Sequence, residues 1–366
     1  MNQDLTIRPP IRVLVVDDSA FMRAALSLMI ASESGLEVVA TACSGAEGLE
    51  KIASLDPDVV TLDVAMPGLN GLDTLRCIMK QFPRPVIMVS ASTDEGAELT
   101  LSALAGGAFD YVPKRMSSSS LDIPHIRLDL ITKIRAAAQS RELPAADFRG
   151  RKPPRSSLLE VFEPVSTVPP EIIALGISTG GPRALQEILP LFPGDFFVPI
   201  LIVQHMPPGF TKAFAQRMNA LCSITVREAI EGESIQPGVY IAPAGMHMTV
   251  ERPSDSRAVI CLDTPSLDTY SVESHVPSID VLMKSVAKAF GNRALGVIMT
   301  GMGSDGAEGM TAIRQMGGMT IGQDEASCTV YSMPGACAEL GVLSCLVPLL
   351  QIPAEILRAT RYRRSA

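Results

Sequence analysis

The sequence predicts two α/β domains in tandem, each an open, mainly parallel sheet with helices on both faces. Three observations carry this expectation. Short, nearly all-apolar runs alternate with helix-patterned segments in both halves of the chain. A proline-rich stretch separates the halves. The 366 residues exceed what one ordinary core accommodates and suit two.

The N-terminal elements come in regular order. Ile11 to Val16 (IRVLVV) has the composition of a parallel strand buried on both faces. Similar runs follow at Leu36–Ala42, Val59–Leu62, Val86–Val89 and Ala108–Val112. Ile123, Ile126, Leu130 and Ile134 then recur at helical spacing and predict a closing helix. Five strands alternating with helices imply an open five-stranded parallel sheet.

The composition shifts over residues 140–170. Pro144, Pro153, Pro154, Pro164, Pro169 and Pro170 oppose both helix and ladder, and Arg149, Arg151, Lys152 and Arg155 add charge. A semi-extended, solvated linker is the expectation. A second alternation starts at Glu171. EIIALGI, PILIVQH and RALGVIMTGM read as strands; GPRALQEILPLF, TKAFAQRMNAL, SIDVLMKSVAKAF and DGAEGMTAIRQM read as helices. Between Val226 and Asp263 short strands separated by turns predict an antiparallel insert in a doubly wound, mainly parallel fold.

Composition narrows the function. Hydrophobic residues make up 47% of the chain, enough for real cores. The net charge of −8 argues against a nucleic-acid partner, which needs a basic footprint. No apolar run reaches the about 18 residues of a membrane helix, and MNQDLTIRPP lacks a signal pattern. Cys43, Cys77, Cys222, Cys261, Cys328, Cys337 and Cys345 are scattered and never spaced C-x-x-C. Free thiols in the cytoplasm are expected, not a disulfide frame or a zinc site. The basic C-terminal RATRYRR is read as solvating a terminal helix.

Polar residues at strand ends supply the chemistry. Asp17 and Asp18 follow the first strand, Asp63 ends the third, Ser90 ends the fourth and Lys114 follows the fifth. In an open parallel sheet the carboxyl ends share one edge, so these residues converge. Carboxylates crowded together repel unless a hard cation such as Mg²⁺ sits among them. Asp63 then suits attack on a phosphoryl donor, with Ser90 and Lys114 placed to bind the added oxygens. The alternative, that these aspartates only cap helices and solvate loop ends, does not account for their convergence.

VLVVDDSAFMR, VVTLDVAMPGLNG, VIMVSA and FDYVPK resemble the receiver domains of two-component response regulators. The resemblance covers the first domain and implies the flavodoxin-like fold. It implies Asp63 as phosphoacceptor, with Asp17, Asp18, Asp63 and the Ala65 carbonyl around Mg²⁺. It also implies Ser90 and Lys114 as the switch pair and a histidine kinase as phosphodonor. One departure is Arg115, where proline often follows the lysine.

In the second half Ser178 follows the strand EIIALGI and precedes Thr-Gly-Gly-Pro, a sharp strand-to-helix turn. His205 closes PILIVQH, and Asp305 opens the helix after RALGVIMTGMGS. All three lie at strand carboxyl ends, where serine, base and orienting carboxylate form a triad whatever their chain order. The N–H groups of Gly301-Met302-Gly303 lie beside Asp305 and suit an oxyanion. Bland roles compete: Ser178 and Asp305 as helix caps, His205 as a satisfied strand-end residue. His247, in the irregular APAGMHM turn, and His275, ahead of a helix, are rival bases; the strand-end position favours His205. A dinucleotide site would need G-x-G-x-x-G and an acidic residue ending the next strand, and both are missing.

GISTGGPRAL, IVQHMPPGFTKAFAQRM, YIAPAGMHM, PSIDVLMKSVA and GVIMTGMGSDGAEGM resemble the chemotaxis protein-glutamate methylesterases of the CheB type. The resemblance spans nearly all of residues 171–345 and sits behind a receiver domain, as in that family. It implies a triad of Ser178, His205 and Asp305, with Met302 supplying an oxyanion N–H and Thr179 lining the site. It implies hydrolysis of glutamyl methyl esters and deamidation of glutamines on methyl-accepting chemoreceptors, with no cofactor in this domain. Membrane association is expected only through those receptors. The domains are then a receiver at 11–130, its last helix end and linker at 131–170, and a catalytic domain at 171–356. Phosphorylation of Asp63 is expected to relieve a receiver docked over the active-site edge. Departures are Ala244, where glycine is usual, and Val276, where arginine often follows His275. Two other readings stay open. One is a catalytically silent domain that only binds receptors; the other is an esterase of a different pathway.

Overall fold

The structure, a computed structural model, describes residues 9–91, 94–114, 123–142, 168–252, 257–264 and 275–362. Arg115 and the proline-rich stretch with its basic cluster lie outside the described residues. The chain divides into two compact units, Met1–Pro153 and Pro154–Ala366. Among the described residues no helix is long and apolar enough to cross a membrane.

The first unit is a five-stranded sheet of β1 (Ile11–Val16), β2 (Leu36–Ala42), β3 (Val59–Asp63), β4 (Val86–Ala91) and β5 (Asp110–Lys114), in the order β2-β1-β3-β4-β5. Every pairing is parallel. The helices are α1 (Ala20–Ala31), α2 (Gly45–Leu55), α3 (Gly71–Gln81), α4 (Asp94–Ala105) and α5 (Ile123–Glu142). The first three start where the sequence provides side-chain acceptors: Ser19, Ser44 and Asn70 each accept a first-turn N–H. Val13, Val15, Leu26, Ile30, Ile87, Val112, Leu130 and Ile134 meet in one core. Each such aliphatic side chain removed from water contributes about 1.5–3 kcal/mol.

The fifth strand begins two residues later than its apolar run suggests. Gly107 takes φ +105° and the Ala108 N–H bonds Ala103 O at 3.0 Å, so Ala108 completes the exit from α4. Lys114 is consequently the last residue of β5, not one that follows it.

The second unit holds β6 (Ile172–Ile177), α6 (Gly181–Ile188), β7 (Ile200–Gln204), α7 (Phe210–Leu221), β8 (Val226–Glu228), β9 (Val239–Ile241), β10 (His247–Glu251) and β11 (Val259–Asp263). It continues with α8 (Ile279–Phe290), β12 (Ala294–Ile298), α9 (Ala307–Gln315), β13 (Met319–Gln323), α10 (Ser332–Glu339), β14 (Cys345–Val347) and α11 (Ile352–Ala359). Seven strands form one sheet in the order β14-β13-β12-β6-β7-β9-β8. All its pairings are parallel.

The antiparallel insert is smaller than the sequence suggests. Among the described strands only β10 and β11 pair antiparallel, with a single antiparallel bridge from Ser234 to Val259 beside them; β8 and β9 extend the main sheet. Burial explains the division. Val239, Tyr240 and Ile241 are all buried, as a two-sided parallel strand requires. In β10 Met248 and Val250 are buried while Glu251 is exposed, so one face of that strand serves the core.

Chain order reverses between β6 and β12, which lie side by side at the middle of the sheet. In open parallel sheets that switch point opens a crevice at the carboxyl ends of the strands. The loops carrying Ser178 and Asp305 leave from these two strands.

Candidate active site and phosphoacceptor site

In the first unit the predicted cluster assembles at the strand ends. Asp17, Asp18 and Asp63 each offer a carboxylate oxygen within 4.8 Å of the others. Asp17 and Asp63 are buried and Asp18 is exposed. Lys114 Nζ lies 2.9 Å from Asp17 Oδ2 and 2.8 Å from Asp63 Oδ2. One ammonium against three carboxyl groups leaves negative charge uncompensated. Asp17 Oδ2 meets that ammonium as an ion pair but has no aligned hydrogen bond. The donor set is all oxygen, carboxylate-rich and under-neutralised, which fits a hard divalent cation. Burial pushes the Asp63 carboxyl up from its ordinary value against the opposing pull of Lys114. Burial pulls the Lys114 ammonium down, but its contacts with Asp63 and Asp17 outweigh this and raise it overall. Ser90 lies inside β4, one residue short of its end, and its Oγ donates to Gly96 O at 3.2 Å. Ala65 is exposed, and its N–H donates to Asp63 Oδ1 at 3.3 Å.

In the second unit Ser178 follows β6, and the β7 loop is stitched to it. The His205 N–H donates to Ile177 O at 3.2 Å. The buried Gln204 amide donates to Ser178 O at 3.0 Å and His205 O at 3.1 Å. Gly180 takes φ +76°, and a Cβ there would fall 2.3 Å from Thr329 Oγ1, so the turn after Ser178 requires glycine. Thr179 is buried, and its carbonyl accepts from Thr300 Oγ1 at 2.9 Å. Thr300 thereby ties the loop after β6 to the loop after β12.

His205 Nε2 lies 2.9 Å from Asp305 Oδ2. A carboxylate accepts only, so Nε2 carries the proton and Nδ1 holds the lone pair. Nδ1 is buried with no hydrogen-bond partner among the described residues. The other histidines are arranged differently. His247 Nδ1 accepts from the Ser278 N–H at 3.2 Å, and burial lowers its pKa. His275 stacks on His205 with ring centroids 4.2 Å apart and planes 13° from parallel.

Asp305 is held from several sides. Oδ1 accepts from Ser278 Oγ at 2.9 Å and the Asp280 N–H at 2.9 Å; Oδ2 also accepts from the Ile279 N–H at 2.8 Å. Asp305 thus caps α8, not the DGAEGM helix that it precedes in sequence. That helix, α9, is capped in return by Asp280, whose Oδ1 accepts from Gly306 N at 2.9 Å and Gly309 N at 2.7 Å. Burial pushes the Asp305 carboxyl up, but His205 and the α8 N–H groups overcome it and hold the group well below the usual carboxylate range. Burial pushes Asp280 the other way, upward.

The Gly301-Met302-Gly303 loop adjoins the serine: a Cβ on Gly301 would fall 2.8 Å from Ser178 Cβ and 2.1 Å from Met333 Sδ. The Gly301 and Gly303 N–H groups are committed, to Val330 O and Ser332 Oγ. The N–H groups of Thr179 and Met302 have no bond within the described residues. Gly301→Ala is expected to displace Ser178 or Met333 and lower kcat at least about 100-fold in a folded protein, because misplacement by about 1 Å costs that much. Steady-state kinetics beside a thermal melt test this, and a near-native kcat would show that the loop tolerates the side chain.

Sequence reasoning did not single out Gln204, Ser278, Asp280, Thr300 or Ser332. Ser278 and Asp280 stand at the start of SIDVLMKSVAKAF, where a serine ahead of an apolar helix with an acidic residue in its first turn is a helix-start signal. Gln204 is a polar residue ending an apolar run, and no local signal gives its partner.

The chain matches the family described as CheB methylesterase over residues 173–356 and that described as Response regulator receiver domain over residues 13–123. A protein-glutamate methylesterase/protein-glutamine glutaminase of Lawsonia intracellularis is 45% identical over 95% of this chain and 99% of its own length. A protein of the same name from Pyrococcus abyssi is 43% identical over 97% of this chain and 95% of its own. The solved Thermotoga maritima CheB methylesterase catalytic domain is 36% identical, covering 52% of this chain and 99% of that domain with a TM-score of 0.49. With one family filling each half and such relatives matching end to end, the chain belongs to the CheB methylesterase family, behind a response-regulator receiver domain.

Proposed function

We propose that this chain is a phosphorylation-controlled protein-glutamate methylesterase and protein-glutamine glutaminase. Its substrates are side chains of methyl-accepting chemoreceptors, and it works in the cytoplasm. The observation that carries the reading is the His205–Asp305 pair: a proton fixed on Nε2 by an anchored carboxylate, leaving Nδ1 as a buried base on a residue whose backbone is bonded to the strand that leads into Ser178. Ser178 Oγ attacks the γ-carbonyl of the glutamyl ester and passes its proton to His205. The oxyanion is met by the Met302 N–H, with Thr179 lining the site. His205 returns the proton to the departing methoxy oxygen, and methanol leaves. A water, deprotonated by His205, then releases the glutamate and restores Ser178. Glutamine follows the same course with ammonia leaving.

Asp63 is the phosphoacceptor, and a histidine kinase is the donor. Asp17, Asp18, Asp63 and the Ala65 carbonyl would hold Mg²⁺, which supplies charge neutralisation for phosphoryl transfer. Ser90 and Lys114 engage the phosphoryl oxygens, Lys114 by exchanging its present carboxylate partners. Asp63→Asn is expected to abolish phosphoryl incorporation from a small phosphodonor, read by phosphate-affinity gel; incorporation at the wild-type level would place the acceptor elsewhere.

The test of the whole reading is methanol release from methylated chemoreceptor membranes. Wild type and Ser178→Ala are compared, each with and without phosphodonor and Mg²⁺. Release that needs Ser178 and rises with the donor is expected. No release from folded, phosphorylatable protein would leave a receiver with some other output.

A further inference from the structure

We propose that Ser332 is a positioning residue for the oxyanion donor, fixing the Gly301–Met302 peptide so that the Met302 N–H faces the reacting carbonyl. This rests on the reading of Met302 as that donor. The segment Val330–Met333 grips the loop on both sides of Met302. The Gly301 N–H donates to Val330 O at 2.9 Å. Gly301 O accepts from Ser332 Oγ at 2.9 Å and from the Met333 N–H at 3.2 Å. The Gly303 N–H donates to Ser332 Oγ at 3.0 Å.

The consequence follows from peptide geometry. Among the described residues only Val276–Pro277 is cis, so the Gly301–Met302 bond is trans. In a planar trans peptide the C=O and N–H point in opposite directions. Two donors on Gly301 O therefore set the direction of the Met302 N–H. They also polarise the amide, which strengthens that N–H as a donor. Both donors come from the first turn of α10, where the backbone N–H groups lack helical acceptors. Ser332 is not occupied in capping its own helix: α10 starts after Tyr331 with no side-chain cap bond. Its hydroxyl makes no hydrogen bond to Ser178, His205 or Asp305. Its one hydrogen goes to Gly301 O, and its lone pair takes the Gly303 N–H. The loop so held lies against the nucleophile, as the close approach of Gly301 to Ser178 Cβ requires.

The experiment is a double-mutant cycle in the full-length chain, with Ser332→Ala and Met302→Pro, the proline removing the Met302 N–H donor together with the side chain, and Met302→Ala controlling for the side chain. A p-nitrophenyl ester serves as substrate, so the outcome does not depend on the receptor assignment. Met302→Pro is expected to lower kcat about 10²–10³-fold. Ser332→Ala is expected to lower kcat about tenfold with KM unchanged, and Ser332→Thr, which keeps the hydroxyl, to stay within about threefold of wild type. In the Met302→Pro background Ser332→Ala should cost less than about twofold, because both changes act through one N–H. An equal loss in both backgrounds overturns the inference and leaves the oxyanion reading standing. A wild-type rate for folded Met302→Pro removes the oxyanion reading and this inference with it. Should the proline variant not fold, phosphorus NMR of Ser178 phosphonylated by a p-nitrophenyl phosphonate decides. A resonance that moves in Ser332→Ala and not in Ser332→Thr supports the assignment, and one unmoved in Ser332→Ala refutes it.

Discussion

Ser178→Ala is expected to lower kcat for methanol release by about 10⁶-fold, to a residue still about 10³–10⁴ above water. The loss is large because the nucleophile and its base act as one unit. In the proposed mechanism Ser178 Oγ is the group from which His205 Nδ1 takes its proton, and without Oγ the base has none to activate in the first step. The residual rate belongs to the loop N–H groups and substrate binding, which the substitution leaves in place. Ser178 is half-buried, and removing one oxygen there leaves the turn's backbone bonds to Thr300 O and Gly181 N intact. The folded state should therefore survive, as near-wild-type thermal melts would verify. Activity within about a hundredfold of wild type would mean that another residue attacks.

Asp305→Asn is expected to lower kcat about 10⁴-fold and to destabilise the catalytic unit as well. An amide has one accepting oxygen where the carboxylate has two, and here both are used. With the amide nitrogen in the Oδ2 position it faces the Ile279 N–H and His205 Nε2. His205 must then accept at Nε2 and move its proton to Nδ1, which removes the base. With the nitrogen in the Oδ1 position it faces the Asp280 N–H, leaving a part-buried donor unpaired at about 1–3 kcal/mol. The pH dependence has a definite sign. Because the folded carboxyl is held below its ordinary value, its contribution to stability is fully present above pH about 4 and disappears as pH falls toward the lower folded value. Asp305→Asn should flatten that acid-side loss. Melts from pH 3 to 8 beside kcat would expose an error: a kcat within tenfold of wild type would show that Asp305 does not orient the base.

The two substitutions also separate what local sequence reveals from what it does not. Ser178 was legible because glycines and a proline after an apolar strand announce a sharp turn into a helix. Asp305 was legible by its place after a strand, but its neighbours were not. The sequence puts it ahead of α9, and local reasoning makes it the cap of that helix. The fold instead crosses the caps, Asp305 on α8 and Asp280 on α9, because α8 and α9 lie side by side with their N-termini adjacent.

By itself the sequence determined the two-unit α/β architecture, the strand-end position of Asp17, Asp63, Ser178 and His205, and the family. These rest on periodicity, composition and motif, all local along the chain. The tertiary structure decided which strands of the 226–263 segment join the main sheet, which imidazole nitrogen meets Asp305, and which loop N–H remains uncommitted. The reason is physical. Strand direction depends on whether both faces of a strand are covered, and a proton's place on a ring depends on its partner across 100 residues. A free N–H is known only after every competing acceptor has been placed.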